Sequence, residues 1–282
     1  MRTAALFGLP LTRQHSPAMH NAAFASTGID GEYVLREVTA DELAAEVDRA
    51  RAERWYGFQI TAPHKQAIMP LLDQIEPAAR AIGAVNSVEI RDDGTLVGFN
   101  TDVIGFMTAV RQVLDKPIAE SRVVVAGSGG VAHAAVYGLA TEQPVSLTVA
   151  DLRREDSARL ADEYADVFAI EPISFDDDAL ASRLAEADLF VNATSVGMLS
   201  VGPVVPVDSL APHAAVFDVV YLPRTTELVR QARAAGHRAA NGEHMLIAQA
   251  VAAFSRWTGT PDQTEVMRDA VEPFLADPDA RP

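Results

Sequence analysis

Lys65, in the run Thr61-Ala62-Pro63-His64-Lys65, and Asp102, in Asn100-Thr101-Asp102, are of residue types that do proton chemistry. A lysine near an apolar helix start can have its pKa lowered by desolvation, and a nearby carboxylate would hold its ammonium charged and oriented. Lys65 and Lys116 are the only lysines among 23 basic residues. Arginine cannot give up its proton, so a lysine kept in such a chain suits a group that must titrate. A codon bias toward arginine gives the same count, and a solvated helix position is the ordinary fate of a lysine. Asp102 equally suits a favourable first-turn acid. Ser16, just ahead of Pro17, reads as a helix N-cap, or as a hydroxyl at a helix end that holds a substrate carboxylate.

A second chemistry is written in Arg122-Val-Val-Val-Ala-Gly127-Ser128-Gly129-Gly130-Val131-Ala132. A β-branched run meets glycines and then an alanine-rich segment, which predicts strand, tight turn and helix. Gly127 permits the turn, Gly129 lets backbone N–H groups approach a pyrophosphate, and Ala132 keeps helix and strand close. The phosphates would sit at the helix N-terminus, where unpaired N–H groups and the positive dipole end favour an anion. Val145 to Ala150 then predicts a second buried strand ending in Asp151, about two dozen positions after the first glycine, where a ribose-binding acid belongs. Asp151 also suits a cap for the helix that follows, but the combination favours dinucleotide binding.

Composition excludes several other classes. A 282-residue chain with 49% hydrophobic residues has the length for two domains with real cores. With no cysteine, disulfides, thiolate metal sites and cysteine nucleophiles are excluded together. His15 and His20 lack metal-ligand spacing on a helix, so no metal is expected. A net charge of −16 disfavours nucleic acid and anionic membrane as partners, although local N–H groups and hydroxyls still admit a small anion. No apolar run has the length of a signal peptide core or a membrane span, which predicts a cytoplasmic protein.

The elements that must position these residues alternate strand and helix. Strands are expected at Thr3–Phe7, Tyr33–Val38 and Phe58–Thr61, and a helix from Ser16 to Phe24 with Ser16 at the N-cap and Pro17 at the first helical position. Thr39-Ala-Asp-Glu42 reads as a capping box opening a helix to about Arg54. A helix is expected after Lys65 and another over Pro77–Ile82. Ala84–Arg91 and Leu96–Asn100 flank Asp92-Asp93-Gly94-Thr95 as a hairpin. From Arg122, strands at Val123, Val145, Val167, Leu189, Val216 and His237 make a six-strand doubly wound sheet. The reading is α/β: a substrate domain over 1–104, a dinucleotide-binding Rossmann domain over 105–241, and helices over 242–282 that return to the first domain. A cleft between the domains is the expected site.

Taken together, these motifs resemble the shikimate dehydrogenase family. The matches are Ser16-Pro17-Ala-Met-His20-Asn21, Thr61-Ala-Pro63-His64-Lys65, Gly83-Ala-Val-Asn86, Asn100-Thr101-Asp102, Gly127-Ser-Gly-Gly130, Asn192-Ala-Thr194-Ser-Val-Gly197-Met198, Phe217-Asp218-Val-Val-Tyr221 and Gly242-Glu-His-Met-Leu-Ile-Ala-Gln249. They run through nearly the whole chain in the family's order. The resemblance implies reversible oxidation of a shikimate ring hydroxyl to the 3-keto compound, with Lys65 and Asp102 as the catalytic pair. It implies that Gln14, Ser16, Thr61, Asn86, Tyr221 and Gln249 meet the substrate. Gly127, Ser128, Gly129, Gly130, Val131, Asp151, Arg153, Thr194, Ser195, Val219 and Gly242 would line the cofactor.

Three positions depart from the family pattern. Gln14 stands where a second serine is usual, and Gln59 where Asn is usual, so that one ring-hydroxyl contact is expected to pass to a longer amide. Hydrogen bonds to substrate hydroxyls discriminate strongly, and these two positions open the alternative of a paralogue acting on quinate, aminoshikimate or another cyclic hydroxy acid. A catalytically idle cofactor-binding protein is a further alternative, against which Lys65 and Asp102 argue. Finally, Asp151-Leu152-Arg153 stands where NADP-using members carry Asn-Arg and a small hydroxyl residue. A carboxylate there accepts ribose hydroxyls and repels a phosphate, so NAD is expected, with Arg153 or Arg154 leaving NADP open. The expected partner is a small cyclic hydroxy acid, and the expected state a monomer or homodimer.

Overall fold

Continuous apolar strands need cover on both faces, and strands that alternate with helices provide it. The computed structural model describes residues 1–198, 200 and 202–276, and these divide by contact into two units: 1–101 with 247–276, and Asp102–Leu246. The first unit runs β1 (Arg2–Gly8), α1 (His15–Thr27), β2 (Gly31–Glu37), α2 (Leu43–Ala52), β3 (Gly57–Ile60), β4 (Gln74–Ile75), α3 (Pro77–Ile82), β5 (Ser87–Ile90) and β6 (Leu96–Phe99). Its sheet has the order β2-β1-β3-β5-β6-β4. β1 pairs in parallel with β2 and β3, whereas β5 pairs antiparallel with β3 and β6. The expected hairpin turn forms between β5 and β6, closed by Arg91 N–H to the Thr95 carbonyl at 3.0 Å and relieved by a left-handed Gly94. Phe7, Trp55, Phe58, Ile60 and Val88 fill the core on one face of this sheet.

Three local expectations change in this unit. Ser16 is not the N-cap of α1: the helix starts at His15, Gln14 takes the cap position without a side-chain bond, and the Ser16 hydroxyl turns to that of Tyr33. After Lys65 the chain makes turns and a short 3-10 helix over Met69–Leu71 instead of an α-helix, since Pro70 has no N–H to continue one. The box at Thr39 forms in part: the Glu42 carboxylate accepts from the Thr39 N–H and hydroxyl at 3.0 and 2.7 Å, but regular helix begins at Leu43.

The second unit continues with α4 (Thr101–Val113), β7 (Arg122–Ala126), α5 (Gly130–Thr141), β8 (Ser146–Asp151), α6 (Arg154–Glu163), β9 (Glu171–Ser174), α7 (Ala179–Glu186), β10 (Leu189–Asn192), β11 (Ala215–Asp218), α8 (Glu227–Ala234) and β12 (Ala239–Ala240). Its six strands lie in the order β12-β11-β10-β7-β8-β9, every neighbour parallel. This is the doubly wound Rossmann order, with the reversal of strand order falling between β7 and β10. The third strand starts at Glu171; Val167 instead closes a turn by donating its N–H to the Tyr164 carbonyl at 2.9 Å, and its side chain packs on the core.

Two further helices, α9 (Glu243–Thr258) and α10 (Thr264–Ala276), close the chain. The expected helical tail extends to residue 282, and its part over 277–282 lies outside the described residues. From Ile247 on, the helices belong to the first unit. Trp257 donates its indole N–H to the Val88 carbonyl at 2.9 Å, Phe254 meets Phe24 edge-on at 4.9 Å, and Phe274 of α10 meets His15 of α1 at 5.9 Å. Gly57 is what lets Trp257 in, because a Cβ there would stand 2.3 Å from the indole nitrogen. Both unit junctions fall inside helices, so no linker composition marks them.

At the carboxyl ends of β10 and β11 a buried polar cluster holds the loops. Asn192 donates to Asp218 at 2.9 Å and to the Val196 carbonyl at 3.0 Å, while its oxygen accepts from the Thr194 hydroxyl at 2.6 Å. Asp218 also accepts from the Val220 N–H at 3.1 Å and from Thr226, whose hydroxyl caps α8, at 2.6 Å. Asp218 has no exposed surface, and burial pushes its pKa up to about 6 in spite of these donors. The folded state therefore binds this proton more tightly than the unfolded chain. Stability contributed by this group is fully present below the ordinary carboxylate value and is lost as pH rises through about 6. Asp218→Asn keeps an acceptor for Asn192 and Val220 and removes the buried charge, while its amide N–H donates to the Thr226 hydroxyl oxygen in place of accepting from it. It should raise thermal stability at pH 8 by about 1–3 kcal/mol, a gain that disappears near pH 4 in melts across pH; a loss at both pH values would contradict this account.

Candidate active site

The second unit places the glycine loop where its sheet reverses. Gly127 follows β7 with φ +101°, a conformation open to glycine, and a Cβ there would stand 2.9 Å from Thr194 Cγ2 and 3.0 Å from the Ala193 carbonyl. Gly129 is the N-cap of α5 with no side-chain cap, and a Cβ on it or on Gly130 would meet nothing within 4 Å. Ala132 is fully buried in the core against β7. A close turn, an uncapped helix N-terminus and open space beside it fit a dinucleotide pyrophosphate.

Asp151, at the end of β8, is not a helix cap: α6 starts at Arg154 with Arg153 in the cap position. Its carboxylate accepts from the Ser128 hydroxyl at 2.6 Å and the Leu152 N–H at 2.7 Å, so it is tied to the glycine loop. Arg153 pairs with Asp156 at 2.5 Å and Arg154 with Asp177 at 3.2 Å. Val131 and Val219 pack their side chains on the core. Thr194 is half-buried within the Asn192 cluster and Ser195 is exposed. Gly242 has a packing role of its own, since a Cβ would stand 2.1 Å from the Val219 carbonyl. Tyr221 lies just beyond β11, half-buried. The loop after it is held by a bidentate Arg224–Glu243 pair at 2.9 and 3.1 Å and by Asn241 donating to the Arg224 carbonyl at 2.7 Å, contacts with no motif to announce them.

In the first unit a chain of buried polar side chains brings several expected substrate residues together. Ser16 hydrogen-bonds with Tyr33, whose hydroxyl donates to Gln59 Oε1 at 2.7 Å. His20 Nε2 lies 3.1 Å from the same oxygen. Gln59 Nε2 donates to Gln249 Oε1 at 2.7 Å, and Thr101 reaches that oxygen at 3.5 Å. Asn86 accepts from the Thr101 N–H at 2.8 Å and donates to its hydroxyl at 3.1 Å. Burial pushes the His20 pKa down to about 3 and raises that of Tyr33, so both are neutral. The expectation that Gln59 supplies a ring-hydroxyl contact is therefore corrected. It is 4% exposed, and both ends of its carboxamide are engaged by protein groups.

Thr61 follows β3 directly, its N–H donating to the Phe7 carbonyl at 2.9 Å. Lys65, half-buried, sits just beyond, with its carbonyl accepting from the Val85 N–H at 2.9 Å. His64 is buried with Nε2 2.6 Å from the Val38 carbonyl, which anchors the lysine's loop. Asp102 is half-buried in the first turn of α4. Gln14 is exposed at the start of α1. Tyr33 and His20 have no place among the expected site residues. The available signals were the histidine of the Ser-Pro-x-x-His run and an aromatic at an inward position of β2.

The family models for "Shikimate dehydrogenase substrate binding domain" and "Shikimate 5'-dehydrogenase C-terminal domain" match residues 6–88 and 242–272. A curated shikimate dehydrogenase (NADP(+)) from Geobacter sp. (strain M21) is 39% identical over 98% of this chain and 97% of its own. The crystal structure of shikimate 5-dehydrogenase from Listeria monocytogenes in complex with shikimate and NAD is 30% identical, covers 96% of each chain and superposes with a TM-score of 0.89. Quinate dehydrogenase from Corynebacterium glutamicum in complex with NAD is 35% identical over 96% of this chain and 99% of its own, with a TM-score of 0.88. A substrate domain built on a mixed sheet, a Rossmann domain with its glycine loop at the strand reversal, and full-length identity to curated members lead to one conclusion: the chain belongs to the shikimate dehydrogenase family.

Proposed function

We propose that this chain is an NAD-preferring dehydrogenase that reversibly oxidises the ring hydroxyl of shikimate to 3-dehydroshikimate. The observation that carries the reading is the presence, in one chain, of a dinucleotide cradle at the β7–β10 reversal and a buried carboxamide network ending at Gln249 and Asn86. Residues 1–104 and 242–282 serve the substrate, and residues 105–241 the cofactor. A bound nicotinamide supplies hydride acceptance and return. During oxidation the Lys65 side chain takes the hydroxyl proton as the ring carbon gives up hydride, and in reduction it gives the proton back. Asp102 orients the Lys65 side chain or shares that proton. Ser16 holds the carboxylate beside Gln14, and Thr61, Asn86, Tyr221 and Gln249 meet the ring substituents. Gly127, Ser128, Gly129, Gly130 and Val131 surround the pyrophosphate, and Thr194, Ser195, Val219 and Gly242 lie along the nicotinamide half.

Shikimate is favoured over quinate or aminoshikimate because Gln59 is buried with both ends of its carboxamide engaged by protein groups, leaving Gln14 as the one departure that can bear on the ring acid. NAD is favoured because the Asp151 carboxylate, which accepts from Ser128 and Leu152, has further lone pairs for the ribose hydroxyls and repels a 2'-phosphate. Curated relatives carry NADP(+) in their names, so this preference rests on the chain's own Asp151. The exposed pairs Arg153–Asp156 and Arg154–Asp177 are weak enough to open toward a phosphate, but the carboxylate stays.

Two outcomes test the reading. Lys65→Ala should lower kcat with shikimate about a hundredfold or more while the dissociation constant for NAD stays within about twofold; loss of NAD binding would make Lys65 structural. In steady-state kinetics kcat/KM should favour NAD over NADP by at least about tenfold, and Asp151→Asn should narrow that ratio by relieving the charge repulsion. A wild-type ratio that favours NADP would overturn the preference.

A further inference from the structure

We infer that the Ser128 hydroxyl is a positioning group for cofactor choice: tied to Asp151 it fixes the carboxylate for the ribose hydroxyls, and freed from Asp151 it becomes a donor to a 2'-phosphate. The inference rests on the cofactor reading above and deepens it. Strand register brings the two residues together. β7 and β8 pair in parallel through Ala126 and Ala150, and the Gly127 N–H donates to the Ala150 carbonyl at 2.8 Å. Gly127 then turns the chain with φ +101°, and the next side chain, Ser128, meets the next residue of β8, Asp151. On its other side Asp151 is held by β9, where its register partner is Ser174, and its carbonyl accepts from the Phe175 N–H at 3.0 Å. The backbone of three strands thus sets the pairing.

A serine hydroxyl has one proton to give. Here it goes to Asp151 Oδ2 at 2.6 Å, the short distance of a hydrogen bond to a carboxylate, while Oδ1 accepts from the Leu152 N–H at 2.7 Å. With a donor on each oxygen the carboxylate cannot rotate without losing a bond, so its remaining lone pairs keep a fixed direction for hydroxyl donors. A 2'-phosphate meets the reverse: a charge that repels it and a hydroxyl whose proton is committed. The cations that follow are engaged as well, Arg153 with Asp156 and Arg154 with Asp177. Removal of Asp151 changes the role of Ser128. Its hydroxyl then has no carboxylate to hold, and its proton turns to the phosphate, while its backbone stays in the glycine loop in both cases.

The test is a double-substitution cycle read by calorimetry, with NAD or NADP titrated into the protein alone and no ring acid present. With Asp151 in place, Ser128→Ala should weaken NAD binding about threefold to tenfold and NADP binding less than about twofold, so that the preference narrows. In Asp151→Ala the same change should weaken NADP about tenfold, the scale of a hydrogen bond to a charged group, and NAD less than about twofold. Equal weakening of both cofactors with Asp151 in place, or a Ser128→Ala effect that is the same with and without Asp151, would overturn the inference and leave Ser128 a structural part of the loop. Should the double variant fail to fold, Ser128→Ala alone decides, because an unchanged ratio of NAD to NADP dissociation constants refutes the inference. A wild type that binds NADP more tightly than NAD would sink the NAD preference by itself, since the cycle still reports whether the role of Ser128 depends on Asp151.

Discussion

A polar group taken out of water must find its partners within the protein, and that constraint arranges both units. In the first, the Gln59 carboxamide has no water to turn to, so Tyr33, His20 and Gln249 must meet it, and these residues come from α1, β2, β3 and α9. The helix that returns from the end of the chain is thereby keyed to the sheet by a hydrogen bond as well as by Trp257 and Phe254. In the second unit Asp218 plays the corresponding part, gathering Asn192, Val220 and Thr226 at the strand ends from which the site loops leave. Half-satisfied networks of this kind cost more than apolar packing, which ties the direction of each side chain to that of its neighbours.

The second unit was largely legible because each signal was local. A valine run, a glycine that must adopt positive φ and an alanine-rich helix are consecutive, and the acid at the end of the next strand lies at a fixed distance in the chain. β9 was misplaced because Val167, apolar and β-branched, has the residue type of a strand, yet it packs on the core from the turn that ends α6. Ser16 before Pro17 has the pattern of a cap, but a tertiary partner, the Tyr33 hydroxyl, claims its side chain. The place of Gln59 departs from its expected one for a similar reason. Its partner Gln249 is 190 residues away, and no spacing rule reports a contact of that range. His20 and Tyr33 escaped notice because a buried histidine and a strand tyrosine have the composition of ordinary core.

These corrections change the chemistry expected of the chain. With both ends of its carboxamide engaged by Tyr33, His20 and Gln249, Gln59 differs from the family pattern within the buried network of the first unit. Asp151 is different in kind: it is fastened to the glycine loop through Ser128, and in the proposed reading its charge acts directly on the ribose end of the cofactor.

The measurement that bears most directly on the central claim is hydride tracing. Purified enzyme would be given NAD and shikimate carrying deuterium at the ring carbon that bears the oxidised hydroxyl, and the reduced nicotinamide examined by mass. The account predicts that the deuterium appears on the nicotinamide ring and that 3-dehydroshikimate forms in equal amount. Ketone formation without label on the cofactor, or no reduction of NAD or NADP by shikimate at all, would contradict it.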